Sequence, residues 1–446
     1  MEGANQSLLP VISSVDEIEE LPPDFGLYLQ RELNWSRLED DDDGEPHRVT
    51  GWVFWSRQDD KPRHRLPVSG YVSENLVVSP DSSPTVKDKI RLALGRIVLH
   101  PRFGQSLVQY WAATTTTEGR TLLTTQNQPC AVSKMGKSTW GLCEYRMKSM
   151  EYKFYGDIGE EELGLPGRVF LYKLPESAAD VQYYSVKEYP QRDDASRCQV
   201  RASWALPVFE HSSQICVGVL ELVSTVDAIT DWYHKSFLCN LHDVFQELGL
   251  QSIDVYKHYQ MKYKDEDKTL TSAFHELALV LESVSKIHKL PLALTWVPCS
   301  ACDSLLLGRL SSEGGEYLGA FEANNNHLVD FLIANTGYHL PKGEVAERVL
   351  SFPNMLYCKD VTQFSIAEYP LVPFARHCKL SGWFTICLHS SYTGEDVYIL
   401  EFFLPKSGED NENTLTTVDM ILRTIKENFK TCFRKRIGRS IIHRSF

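Results

Sequence analysis

The chain has 446 residues, a formal net charge of −13, 43% hydrophobic and 24% charged residues. This composition is typical of a globular protein, and the length allows two or three domains of about 100–200 residues each. The acidic balance disfavours nucleic-acid binding by the body of the chain, which would favour a basic face. Neither a run of about 18 apolar residues nor a signal-peptide pattern occurs, so we expect no membrane span. The 11 cysteines therefore fit a reducing compartment.

Residues 1–50 are acidic and poor in packing signals, and they include the run Glu39–Asp43. This composition predicts a disordered or loosely attached segment. The aromatic and β-branched residues of Gly51–Trp55 then predict a strand.

Residues 51–260 form a first predicted unit, with its preceding strand. Apolar residues at helical spacing begin after Thr85 and recur in a closing helix. The predicted elements, in chain order, are a helix over 86–97, strands at 107–111 and 120–125, a sharp loop at 164–167, strands at 204–209 and 215–223, and a helix over 233–248.

Residues 265–433 form a second predicted unit, after a charged linker and before a basic tail at 434–446. The order of elements is similar to that of the first unit. The predicted elements are a helix over 274–287, strands at 292–297, 383–389 and 397–404, and a helix over 418–429.

One segment of the first unit is echoed in the second. Tyr184–Pro190 is matched by Phe364–Pro370 at an offset of 180 residues, and Glu221 falls on Glu401 at the same offset. A persistent offset indicates that a fold unit occurs twice. We therefore predict an α+β fold of two tandem units, each an antiparallel sheet flanked by terminal helices. The duplicated Glu188 and Glu368 are expected to fix a local turn or helix cap.

Three near-matches to catalytic or metal-binding motifs fail on essential residues. The phosphate-loop-like Ala131–Ser138 lacks its first glycine, and Leu279 stands where a zinc-protease helix beginning at His275 needs a second histidine. Cys299 and Cys302 lack two further zinc ligands nearby. We therefore predict no catalytic residue, no metal site, no cofactor and no enzymatic activity.

Several motifs together resemble plant NIN-like proteins of the RWP-RK transcription factor family, specifically their N-terminal GAF-like regulatory region. The resemblance runs from about Trp52 to Phe429. The motifs that carry it are Gly164–Phe170, Asp180–Tyr184, Val200–Glu210, Cys216–Val223, Leu290–Cys299, Asp360–Val372 and Ser391–Pro405.

This resemblance implies two GAF-like units and a role in nitrate-responsive control of transcription. It also implies a nuclear protein that shuttles with the cytoplasm and pairs with NIN-like relatives. The sequence contains no Arg-Trp-Pro-x-Arg-Lys pattern, and its last tryptophan is Trp383. We therefore expect no DNA-binding domain in this chain and no direct sequence-specific DNA contact.

The resemblance implies nitrate as the ligand of the second unit, with Trp296 and His327 as candidate binding residues. Trp296 fits core packing equally well. Acidic residues at neighbouring family positions would repel an anion. The departures from the family pattern are Ser300–Asp303, Glu322, Glu344 and Glu347.

The alternative is a ligand-free protein-interaction module that dimerises and modulates full-length relatives. The closing helices over 233–248 and 418–429 would then supply the contact surface.

Overall fold

The structure is a computed structural model of the chain, and no helix in the part it describes is both long and apolar enough to cross a membrane. The residues whose backbone it describes are 35–38, 51–56, 84–97, 105–133, 139–156, 163–178, 180–226, 231–252, 268–298, 305–308, 310–311, 317–318, 339–340, 355–389, 397–405, 411–428 and 442–444.

The first half contains one antiparallel sheet with helices packed on both faces. Its elements are β1 (Trp35–Leu38), β2 (Gly51–Ser56), α1 (Val86–Leu94), β3 (Ser106–Thr115), β4 (Thr121–Thr124), β5 (Cys130–Ser133), α2 (Thr139–Ser149), β6 (Phe154–Tyr155), α3 (Gly164–Tyr172), β7 (Glu176–Ala178), a 3-10 turn (Val181–Tyr183), α4 (Arg192–Arg197), β8 (Ala202–Glu210), β9 (Cys216–Ser224), α5 (Asp231–Glu247) and β10 (Leu250–Gln251). The strand order is β1-β2-β5-β3-β9-β8-β10, with β4 pairing with β3 and β6, and β7 pairing with β8.

The first six residues of strand β3, 106–111, are buried on both faces, as expected for the central part of a doubly covered sheet. Val108 and Tyr110 pack in the cluster formed with α1 and α5. Leu107 and Trp111 lie on the opposite face, in a cluster that includes α2 and α3. The alternation follows from the two-residue period of a strand.

The second half contains a seven-stranded sheet and a separate two-stranded one. Its elements are α6 (Lys268–His288), β11 (Leu292–Pro298), β12 (Leu305–Gly308), β13 (Leu310–Ser311), β14 (Tyr317–Leu318), β15 (His339–Leu340), β16 (Met355–Cys358), a 3-10 turn (Val361–Gln363), α7 (Val372–His377), β17 (Trp383–His389), β18 (Val397–Phe403), α8 (Asn411–Asn428) and β19 (Ile442–Arg444). The strand order is β15-β12-β11-β18-β17-β16-β19, and only the β16–β19 pair among these described strands is parallel.

Helices α6 and α8 pack against one face of this second sheet, through Leu281 and Ile425 among others. The other face belongs to the same apolar cluster as the first sheet's α2 face. Tyr189 and Tyr369, from the duplicated turns, are both members of this shared cluster. One apolar cluster therefore includes residues from one face of each sheet and from both turns.

The 180-residue echo corresponds to a structural repeat around the turns. The two 3-10 turns and the helices α4 and α7 keep the offset residue for residue. Gln199 and Lys379, which follow those helices, both have a positive φ of 59° and 54°. The predicted paired strands and closing helices are confirmed, as is the mixed fold of helices and antiparallel sheet.

One local prediction is wrong. Gly164–Gly167 was expected to be a sharp loop, yet it forms the first turn of α3. Proline is tolerated in a first turn because the missing N–H would have no helical partner there. Gly164 is required by its φ of +57° and by the Phe154 ring, which a Cβ would meet at 2.5 Å.

Two short strands lie in segments where the composition predicts no packed structure. Strand β1 falls within residues 1–50 and pairs with β2. Strand β19 falls within the basic tail and pairs with β16.

Candidate functional site

The centre of the first sheet holds a buried carboxylate, Glu221 on β9. Four side chains donate hydrogen bonds to it, so its charge is distributed over several donors. They are Trp111 Nε1 at 2.7 Å, Gln109 Nε2 at 3.0 Å, Ser203 Oγ at 2.7 Å and the Tyr189 hydroxyl at 3.3 Å.

A buried guanidinium extends this network. Arg146 on α2 donates to Gln109 Oε1 at 3.0 Å, and to the carbonyl oxygens of Thr125 and Gln128 at 2.7 and 2.9 Å. Gln109 thus lies between Arg146 and Glu221 and bonds to both. Burial lowers the pKa of Arg146, and the negative charge of Glu221 acts in the opposite direction. The opposite charges compensate each other inside the core.

The second sheet holds the equivalent carboxylate, Glu401 on β18, which is also buried. The Tyr369 hydroxyl donates to it at 3.0 Å. The indole N–H groups of Trp296 and Trp383 also favour its charged form. Burial dominates and raises the pKa of Glu401 to about 7.

The surroundings of the two carboxylates differ at two corresponding positions. Gln109 lies opposite Glu221 in the ladder, whereas Leu294 lies opposite Glu401. Ser203, a donor to Glu221, is replaced at the 180-residue offset by Trp383. Glu401 therefore has an apolar ladder neighbour where Glu221 has a hydrogen-bond donor.

Each duplicated turn is closed by its glutamate. The Ser185 N–H donates to Glu188 at 2.7 Å, and the Ser365 N–H donates to Glu368 at 3.0 Å. The serine hydroxyls in return accept from the glutamate N–H groups, both at 3.3 Å. This reciprocal arrangement is a capping box, so the predicted local capping role is confirmed.

Glu188 additionally binds the second half. Its carboxylate accepts the Ile366 N–H at 2.8 Å and Arg376 Nη1 at 2.8 Å. Arg376, on α7, also donates to the carbonyl oxygen of Tyr183 at 3.1 Å. Burial raises the pKa of Glu188, but Arg376 and the backbone donors outweigh burial and leave the pKa below its ordinary value.

Arg168 on α3 fixes the position of Glu188 through the Glu188 backbone. Arg168 makes a bidentate ion pair with Glu176, at 2.7 and 2.9 Å, and donates to the Glu188 carbonyl oxygen at 2.6 Å. The planar guanidinium suits this fork-like geometry. Helix α3 thereby orients the turn that contacts the second half.

Comparison with known proteins identifies the family. A model described as the NLP protein GAF domain matches residues 264–433. Protein NLP6 of Arabidopsis thaliana is 37% identical over 370 residues, which are 79% of this chain and 43% of the relative. Protein NLP7 of Arabidopsis thaliana is 39% identical over 341 residues, 73% of this chain and 35% of the relative. The chain belongs to the NLP protein family. It spans less than half the length of these relatives.

Protein NLP3 of rice, Oryza sativa subsp. japonica, is 37% identical to this NLP chain over 373 residues, 79% of the chain and 38% of the relative. Among solved structures, a methyl-accepting chemotaxis protein segment matches with a TM-score of 0.23 at 13% identity, covering 40% of this chain and 94% of that one. NreA from Staphylococcus aureus, mutated in its nitrate binding site, matches with a TM-score of 0.22 at 15% identity, over 33% of this chain and 96% of that one. At these scores no property of either structure is transferred to the NLP chain.

The two residues predicted to bind ligand in the NLP chain are placed differently. Trp296 lies on β11, is fully buried, and faces Glu401 from the shared core. His327, together with the Cys299 and Cys302 pair, lies outside the described residues. The binding role of Trp296 and His327 stays a prediction.

The sequence pairs Glu221 with Glu401 at the 180-residue offset and contains no pattern that indicates a role for Arg376. A glutamate in an otherwise apolar strand, repeated at the same offset in both halves, is the signal for a buried carboxylate. Arg376 has no equivalent signal, because Ser196 stands at the corresponding position of the first half.

Proposed function

We propose that this chain is the sensory, regulatory region of an NLP-type regulator of transcription, and that it acts in nitrate-responsive control and not as an enzyme. The observation that carries the proposal is the NLP GAF-domain match over residues 264–433, on the half that contains Glu401. A core with a buried ionisable group, joined to a second half through Arg376, suits a domain that converts a local change into a structural one.

The first half is, in this proposal, a second GAF-like unit in tandem with the matched one. The equivalence of α4 with α7 supports it, as does the equivalence of Glu221 with Glu401. Both units have a sheet flanked by terminal helices: α1 and α5 in one, α6 and α8 in the other.

Nitrate is the proposed ligand of the second half, with Trp296 and His327 as candidate residues. An anion beside Trp296 would lie close to the Glu401 carboxylate and be repelled by its ionised form. Because burial raises the pKa of Glu401 to about 7, the carboxyl is neutral in mildly acidic solution. Nitrate binding at this position would therefore be tighter at pH 6 than at pH 8.

Isothermal titration with nitrate, using chloride as the matched anion, tests this part of the proposal. We expect a nitrate-specific heat at millimolar concentration that is larger at pH 6 than at pH 8, and that is lost in Trp296→Phe. Equal heats for nitrate and chloride at both pH values would overturn nitrate sensing by this chain.

The proposed location is the nucleus, with shuttling to the cytoplasm, and the proposed protein partners are NLP relatives. The net charge of −13 disfavours direct, sequence-specific DNA contact by this region. Nuclear and cytoplasmic fractions, probed with and without nitrate, test the location. A protein that stays cytoplasmic under both conditions would contradict it.

A second candidate function, a ligand-free dimerisation module, is favoured by apolar side chains exposed on the terminal helices. Leu279 and Ile287 on α6 are 48% and 62% exposed, and Met420 on α8 is 46% exposed. Light scattering of the wild-type chain and a Leu279→Ser/Ile287→Ser variant distinguishes the candidates. A wild-type dimer that becomes monomeric in the variant, with no nitrate heat, would favour this function. A monomer that fails to capture a full-length relative would exclude it.

A further inference from the structure

Each duplicated turn connects the buried carboxylate of its own sheet to the opposite half. In the first half, Tyr189 donates to Glu221, and the preceding Glu188 binds the second half. In the second half, Tyr369 donates to Glu401, and Ile366 of the same turn donates to Glu188. The hydrogen bonds therefore join the two carboxylates through both turns.

Arg376 reinforces this connection from the second half. Its Nε donates to the Thr362 carbonyl oxygen at 3.0 Å, and its Nη2 to that of Phe364 at 2.7 Å. Its Nη1 crosses to Glu188 and to the Tyr183 carbonyl oxygen. The Arg376 side chain thus connects the backbone just before the second turn with residues at both ends of the first turn. His377, next in α7, packs against the Tyr183 ring with centroids 4.7 Å apart and the ring planes tilted by 51°.

The contact is asymmetric although the sequence is repeated. Glu188 is 7% exposed and belongs to the contact between halves, whereas Glu368 is only partly buried and caps its own turn. The capping box forms in both turns, and Glu188 additionally accepts bonds from the opposite half.

We propose that the paired turns couple the two halves, so that a change in the charge of Glu401 is transmitted through Tyr369, Ile366 and Arg376 to Glu188 and the first sheet. The proposal rests on the contacts above and adds a route for intramolecular regulation to the proposed sensory function. It does not depend on nitrate as the ligand. Protonation of Glu401, which is controlled by the pH, can therefore serve as the perturbation in the test.

The groups facing Glu401 are the Tyr369 hydroxyl, from the turn, and the indoles of Trp296 on β11 and Trp383 on β17. Ionisation of Glu401 strengthens its hydrogen bond with Tyr369, because a charged acceptor binds a donor more tightly than a neutral one. The turn that carries Tyr369 and Ile366 is then held closer to the second sheet. The charged group facing Glu188 is Arg376, whose Nη1 donates to the carboxylate at 2.8 Å.

Hydrogen exchange of the full chain, followed by mass spectrometry at pH 6 and pH 8 and corrected for the intrinsic exchange rate, tests the coupling. The comparison is wild type against Glu401→Gln, which keeps the side chain neutral at both values. At pH 8 we expect a difference of about fivefold or more in protection at 184–190 as well as at 365–370. At pH 6 both proteins have a neutral side chain at this position, and the difference should shrink in both segments.

Arg376→Gln is the decisive variant, and Arg423→Gln is its matched control. Arg423 makes an exposed ion pair with Asp419 on α8 and contributes nothing to the turns. In the Arg376→Gln background, the effect of Glu401→Gln should remain at 365–370 and disappear at 184–190. In the Arg423→Gln background it should remain in both segments.

Glu188→Gln provides a second route to the same test if Arg376→Gln fails to fold. It removes the ion pair from the first half and leaves an oxygen to accept the Ile366 N–H. Loss of the response at 184–190 would again support coupling. A response at 184–190 that survives both variants, or that is absent in the wild type, would overturn the proposal. Neither result depends on nitrate, so failure of the sensory proposal is distinguishable.

Discussion

Glu188 accepts the backbone N–H of Ile366 across 178 residues of sequence, within a turn that is itself a copy of the turn containing Ile366. The two copies of the turn therefore contact each other through the repeated residues themselves. The glutamate that is buried in one copy remains partly exposed in the other.

This pair gives a matched test of stability. Glu188→Gln removes a buried charge and leaves Arg376 with its charge uncompensated, which typically costs about 3 kcal/mol or more. Glu368→Gln alters a partly exposed cap and should cost about 1 kcal/mol or less. Urea unfolding of both variants measures the difference. Equal losses would show that the cross-half ion pair adds nothing to the cap.

Glu401 predicts a pH-dependent stability. Its folded-state pKa of about 7 is raised above the ordinary 4.5, so the folded protein binds this proton more tightly than the unfolded chain does. The contribution is fully present below pH 4.5, falls as the pH rises to about 7, and is lost above that value. The span is about 3 kcal/mol at most.

Glu401→Gln should remove this dependence, because glutamine does not titrate. The free energy of unfolding, measured by urea titration between pH 5 and pH 8, should therefore fall less steeply with rising pH in the variant than in the wild type. Parallel curves for the two proteins would contradict the raised pKa. Glu368→Gln serves as the control, since its carboxyl caps a partly exposed turn.

Arg146 is expected to be essential for the first half. Arg146→Met removes the hydrogen-bond donors to the carbonyl oxygens of Thr125 and Gln128 and to Gln109 Oε1, and leaves the charge of Glu221 without its cation. The expected loss is about 3–5 kcal/mol. Arg423→Met, at an exposed ion pair, should cost about 1 kcal/mol or less. Thermal unfolding of both variants by circular dichroism provides the measurement; similar melting temperatures would refute the role of Arg146.

Gly218 on β9 is required by its neighbours. A Cβ there would lie 2.2 Å from the Trp111 carbonyl oxygen, so the backbone of β3 would have to move. Gly218→Ala should cost about 1–3 kcal/mol, as overpacking does. Gly95→Ala, where φ is −69° and the nearest atom is 3.6 Å away, should be neutral or stabilise by about 0.5–1 kcal/mol. Differential scanning calorimetry of the pair tests this, and an equal change in both would exclude the steric cause.

Much of the fold can be predicted because its longest strands have clear sequence patterns. The strands β8, β9, β17 and β18 are apolar runs separated by polar turns, and their sequence alone indicates paired strands. Helix α3 was missed because Gly and Pro in Gly164–Gly167 are typical of loops, while packing against Phe154 decides their conformation.

The contacts between the halves could not be predicted in the same way. The capping roles of Glu188 and Glu368 are local and follow from Ser-x-x-Glu spacing. The bond from Arg376 to Glu188 is a tertiary contact between residues 188 apart in sequence. The first half has no arginine at the position equivalent to Arg376, so the repeat does not indicate this contact. The raised pKa of Glu401 follows from its burial, which depends on strand pairings, such as that of Leu294 with Glu401, that the sequence alone does not specify.

The apolar cluster shared by the two halves limits how the chain can be divided. A cut between residues 252 and 268 would divide this cluster, to which both Tyr189 and Tyr369 belong. Each fragment would then present to water some apolar surface that its companion now covers. The repeat is therefore evident as two copies in the sequence, yet we expect the protein to be more stable as one chain than as two separate halves.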